Sequence, residues 1–82
     1  MEIESPLHAL ILLDKKIIIR RKTKFRSRSG AKYLFVRIDT YMYPSIILEN
    51  AAGREEEWDY KTLRHNGLEI IQNQITIEPI LD

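Results

Sequence analysis

The sequence predicts a mainly β domain: a small barrel of five or six short, strongly bent antiparallel strands. A short N-terminal helix precedes them, and one helical turn comes before the last strands. Three observations predict it. The stretches KIIIRRKTKF and KYLFVRIDTYMY are rich in β-branched and aromatic residues and flank a Ser/Arg/Gly cluster, the pattern of a hairpin. Two further short runs, SIILEN and EEEWDY, follow at turn-length spacing. The three glycines, Gly30, Gly53 and Gly67, are isolated turn residues between such runs. The 82 residues form one domain, residues 1–82. A chain this short buries only about 60–65% of its unfolded surface, so every large apolar residue matters.

The elements follow in order. Ser5-Pro6 ahead of LHALILLDKK reads as a helix start, with Ser5 as N-cap and Pro6 in the first turn, where its missing N–H costs nothing. The same run also suits a buried strand, because periodicity cannot separate the two over so few residues; the helix is the reading taken. In the hairpin, a two-residue Ser29-Gly30 turn sets Arg28 opposite Ala31, Phe25 opposite Leu34 and Thr23 opposite Val36. One face then carries Ile17, Ile19, Phe25, Leu34, Val36, Ile38 and Met42 as a core stripe. The other carries Arg20, Lys22, Lys24, Arg26, Tyr33, Phe35, Arg37, Asp39 and Tyr41. A slip of one residue exchanges the faces. Arg21 falls on the apolar side, which predicts a bulge near residues 20–22.

Tyr43-Pro44-Ser45 reads as a turn and SIILEN as the third strand. EEEWDY, the fourth, places Glu56, Trp58 and Tyr60 on one side and Glu55, Glu57 and Asp59 on the other. KTLRHNG is a single helical turn stopped at Asn66-Gly67, and LEIIQNQITIEPI supplies one or two final strands. This layout resembles SH3-like barrels in architecture, without a specific family motif.

The net charge of +1 conceals three blocks. Ten cations and no acid lie between Lys15 and Arg37, three acids lie in the first fourteen residues, and nine acids oppose three cations from Ile38 onward. Local fields follow blocks, not totals. On the hairpin, cations alternate with aromatic rings, the combination that neutralises phosphates and stacks on bases. The leading expectation is therefore a non-enzymatic module that contacts nucleic acid, RNA or DNA, through residues 20–37. Arg20, Lys22, Lys24, Arg26, Arg28, Lys32 and Arg37 would meet phosphates, while Tyr33 and Phe35 would stack or wedge. Against it stands a plain alternative, an exposed strand face whose cations pair with acids such as Asp39 or those of the Glu55–Asp59 strand.

A second expectation, from another class, is an adaptor, accessory subunit or inhibitor docking on a larger protein complex. Its interface would use the acidic strand residues Glu55, Glu57 and Asp59. These carboxylates form a linear comb with residues about 7 Å apart on one face, too spread for one cation, so no metal is expected. Catalysis has little to stand on. The only histidines, His8 and His65, belong to no Ser-His-Asp spacing, and there is no cysteine for a nucleophile or a zinc site. No cofactor is expected. Trp58, the only tryptophan, reads as a core or rim anchor; with Tyr41 and Tyr43 it alternatively lines a peptide groove. The absence of cysteine and of a long apolar run points to a cytoplasmic chain with no membrane partner.

Overall fold

The structure, a computed structural model, describes residues 1–73. The chain runs α1 (Pro6–Asp14), β1 (Thr23–Arg26), β2 (Lys32–Asp39), β3 (Ser45–Glu49), β4 (Glu55–Trp58), α2 (Tyr60–Asn66) and β5 (Glu69–Asn73). The strands form one antiparallel sheet in the order β4-β3-β2-β1-β5. β4 and β5 lie at opposite margins and the sheet is open among the described residues, so the fold is mainly β without observed barrel closure. Any strand expected after residue 73 lies outside the described residues.

α1 begins as its sequence dictates. Ser5 is extended, its Oγ accepts the N–H of His8 at 3.0 Å, and Pro6 occupies the first turn. His8 completes the cap, its Nδ1 accepting the N–H of Glu4 at 3.0 Å. The helix ends in a Schellman motif: Lys16 N–H bonds to Leu13 O and Ile17 N–H to Leu12 O. Lys16 holds the left-handed position there at φ 65°, a place usually given to glycine.

Beyond the helix the expected strand is shorter than its propensity. Thr23, fully buried, accepts the N–H of Ile19 on its Oγ1 at 2.8 Å and closes a turn over residues 19–22. Arg21 sits in that turn at φ 60° and donates its N–H to Phe35 O at 2.8 Å. Ile17 to Lys22 are therefore not strand, and β1 starts only at Thr23. The bulge expected at 20–22 is a turn outside the sheet. Within the sheet the irregularities lie between Lys24 and Phe25 and between Phe35 and Arg37.

The hairpin register differs from the expected one by one residue, with large consequences. Lys24 faces Leu34, Phe25 faces Tyr33 and Arg26 faces Lys32. The connection is not a Ser29-Gly30 two-residue turn but the five residues 27–31. Ser27, buried, builds it: its N–H donates to Ala31 O at 2.8 Å, its Oγ accepts Ala31 N–H at 3.2 Å, and its carbonyl accepts Gly30 N–H at 2.9 Å. The slip turns Tyr33 and Phe35 to the inner face and Leu34 to the outer one. Val36 is then the extra residue at the β2–β3 bulge, which returns Ile38 to the inner side where it is expected.

The inner face packs Phe25, Phe35, Ile46, Leu48 and Trp58 beneath α1, with Ala9 and Leu12 of the helix buried against them. Phe25 and Phe35 meet edge to face at 6.2 Å, an arrangement worth about 0.5–1.5 kcal/mol beyond burial alone. The N-terminal residues add to the far side of β5: Ile3 N–H donates to Leu68 O at 2.8 Å and Ile70 N–H to Met1 O at 2.9 Å. Among the described residues no helix is long and apolar enough to cross a membrane.

Candidate functional site

The outer face of the sheet carries most of the expected cations, and register decides what each one meets. Arg26 on β1 lies opposite Glu69 on β5 and pairs with it at 3.4 Å. Arg37 on β2 reaches Glu55 on β4 at 3.7 Å, and Arg21 reaches Glu49 on β3 at 3.6 Å. Each pair is partly solvated and contributes little to stability, about 0.2–1 kcal/mol, but each cancels a charge locally. Ile47, between Arg37 and Glu57 in register, is only 5% exposed although alternation places it on this outer face. Long charged side chains shield apolar surface with their stems in this way.

Arg28 is taken up differently. Its Nη1 donates to His65 O at 2.7 Å and its Nη2 to Arg64 O at 3.4 Å, while its backbone N–H donates to Asn66 O at 2.9 Å. The guanidinium thereby satisfies carbonyls at the C-terminus of α2 that have no partner within the helix. Gly67, at φ 72° and ψ 149°, lets the chain pass beneath it. A Cβ at that position would stand 3.0 Å from Arg28 Nη2. Arg28 is a clamp between the hairpin tip and α2, with its exposed guanidinium already donating to two carbonyls.

The two aromatic candidates turn inward. Phe35 is fully buried, so its ring is not available to stack on a base. Tyr33 is half-buried and meets Trp58 edge to face at 5.0 Å. Trp58 donates its Nε1–H to Glu56 Oε1 at 3.0 Å, and Asn50 Nδ2 donates to Glu56 Oε2 at 2.8 Å. Burial first, and the Glu56 carboxylate second, raise the Tyr33 hydroxyl above its ordinary range, so it stays protonated. Trp58 is thus a core anchor with its N–H satisfied, not a wall of a groove shared with Tyr41 and Tyr43.

Four expected cations remain: Arg20, Lys22, Lys24 and Lys32. Among the described residues none of their side chains has an ion-pair or hydrogen-bond partner. Lys24 and Lys32, with Arg21, wall an open groove of about 450 Å³ whose lining includes Leu34, Ile71 and the rim of Tyr33. Asn50 and Ala51 complete the lining, in which no carboxylate occurs among the described residues. Arg20 and Lys22 stand exposed in the turn that also presents Arg21. The hairpin slip is what brings Leu34 into the groove's lining, directly opposite Lys24.

The acidic candidates are each engaged nearby. Glu55 pairs with Arg37, Glu57 Oε2 accepts the hydroxyl of Ser45 at 2.8 Å, and Asp59 Oδ1 caps α2 by accepting Thr62 N–H at 2.8 Å. That backbone bond holds the Asp59 carboxyl below its ordinary range. Among the described residues no cluster of three metal-ligating side chains occurs.

One surface was not assembled by the sequence reading. The loop after β2 displays Tyr41, Met42 and Tyr43 at 79%, 74% and 79% exposure, with Met42 at φ 62°. Next to it, Leu7, Pro44 and Tyr60 line an apolar groove of about 280 Å³. The available signal was α1 itself: PLHALILLD is apolar on all sides, yet only Pro6, Ala9 and Leu12 are buried. A helix apolar all round has a second face to cover. Compared with family models, with curated proteins and with solved structures, the chain matches none.

Proposed function

We propose that this chain is a non-enzymatic, cytoplasmic small-barrel module that contacts nucleic acid through the groove beside β1 and β2. The observation that carries the reading is the groove's lining: Lys24 and Lys32, neither paired with an acid among the described residues, beside Leu34 and Ile71. Lys24, Lys32, Arg20 and Lys22 hold phosphates, and the apolar lining takes the base or sugar surface between them. The meander β1 to β4, followed by α2 and a strand that returns to β1, supports an SH3-like architecture for the module. Docking on a protein complex through Glu55, Glu57 and Asp59 has less support, because all three already serve local contacts.

Fluorescence anisotropy with labelled single-stranded RNA, single-stranded DNA and duplex DNA tests the proposal. Four phosphate contacts predict a loss of about 50-fold for a single strand between about 50 and 200 mM salt, and roughly 150-fold for a duplex. A Lys24→Ala/Lys32→Ala variant halves the logarithmic salt slope. Arg26→Ala and Arg37→Ala, already paired, leave it unchanged. No binding at the lower salt, or equal losses from the paired and unpaired cations, overturns the reading.

A further inference from the structure

We infer that the chain associates with a second copy of itself through the apolar surface formed by the outer side of α1, the loop after β2 and the start of α2. The surface is continuous. Leu7, Pro44 and Tyr60 share one groove, Ile11 lies one helical turn along from Leu7, and Tyr41 to Tyr43 lead directly into Pro44. Leu7, Ile11 and Tyr60 are each more than half exposed, and the three loop residues more so.

Its size indicates a partner of macromolecular scale. An aromatic side chain offers roughly 150–250 Å². Three exposed tyrosines with Met42, Leu7 and Ile11 therefore present on the order of 800 Å², the share one partner contributes to a standard interface. The largest apolar patch on an ordinary monomer is about 300–600 Å². The composition, rich in Tyr and Met, is that of an interface centre.

Its charge selects the occupant. A two-fold interface sets a surface against its own copy, so a patch of one sign repels itself. Among the described residues no charged side chain lines the groove at the centre of this one. Among the described residues, a further self-pairing route is the unpaired margin of β4, which carries exposed Glu55 and Glu57 and opposes a second copy by like charge. Met42 points the same way. Its left-handed backbone is uncommon for a side chain of that size and is retained in a loop that shows three large side chains to solvent.

The apolar groove and the cationic groove share no lining residue, so a dimer leaves the cationic grooves open. Sedimentation velocity on the full chain from about 1 to 200 µM tests the inference, since interfaces of this area span micromolar to tighter affinities. A monomer–dimer equilibrium in the micromolar range or below is expected. Leu7→Gln and Tyr43→Ser each weaken it at least tenfold, with unchanged circular dichroism and melting temperature showing that the fold is intact. Glu55→Gln leaves it unchanged. A chain monomeric throughout overturns the inference and leaves the surface to a different protein. A dimer that ignores the Leu7 and Tyr43 variants, or that responds to Glu55→Gln instead, overturns it in favour of pairing at β4.

Discussion

Two groups of cations lie within one basic segment and have opposite fates. Arg21, Arg26, Arg28 and Arg37 are engaged by the fold: three pair with acids and one caps the end of α2. Arg20, Lys22, Lys24 and Lys32 have no such partner among the described residues. Position along the segment does not distinguish the groups. What separates them is the residue that arrives opposite, from β3, β4, β5 or α2, all later in the chain. A run of charge therefore states how much field is available, and strand pairing states how much of it reaches solvent. It is also notable that the engaged group is all arginine, whose planar fork suits carbonyls and carboxylates, while lysine predominates in the other.

The sharpest test of the contrast is the clamp. Gly67→Ala places a side chain in backbone space that only glycine occupies comfortably and pushes on the Arg28 guanidinium. A loss of about 2–4 kcal/mol is expected. For a domain this size that lowers the melting temperature by upwards of about 10 °C. Arg28→Ala comes next. Losing two charge-assisted bonds at a solvated helix end costs about 1 kcal/mol, read as a melting shift of roughly 4–8 °C. Nucleic-acid affinity stays within about twofold of the parent, since binding tracks the unpaired cations. A large affinity loss without a stability loss would break the comparison. The smallest effect belongs to Arg37→Ala, which removes one exposed ion pair and changes stability by about 0.5 kcal/mol or less in denaturant titration.

Much of the fold was legible because its signals are local. Ser5-Pro6 starts α1, the β-branched run of β3 and the alternation of β4 place their strands, and Gly67 stops α2. The hairpin register was not legible, because the loop that sets it is held from elsewhere: Arg28 N–H reaches Asn66 O, 38 positions along the chain. Propensity favoured a strand over Ile17–Ile19, but the N–H groups of Ile17 and Ile18 bond back to Leu12 O, and Ile19 is tied to Thr23 Oγ1 at the start of a closed turn. From the one-residue slip follows most of what the site reading missed. Phe35 moved from a stacking ring to the core, Leu34 moved into the groove lining, and Tyr33 joined Trp58. The candidate cations kept their identities, and their partners depended on contacts that no local window contains.

The pairing of Met1–Ile3 with Leu68–Ile70 has a consequence in time. Glu2 and Glu69 form a bridge 67 positions apart, and β1 waits for β5 across more than forty. Contacts of such long range slow folding, because chain ends must be brought together before the pairing rewards it. During synthesis at about 5–20 residues per second, several seconds pass between the emergence of the first of these segments and the last. Until then β1, with Phe25 at its centre, is paired on one side only, and its bare flank is open to other chains. A nascent chain stalled short of Leu68 is thus the form of this protein most exposed to misassembly.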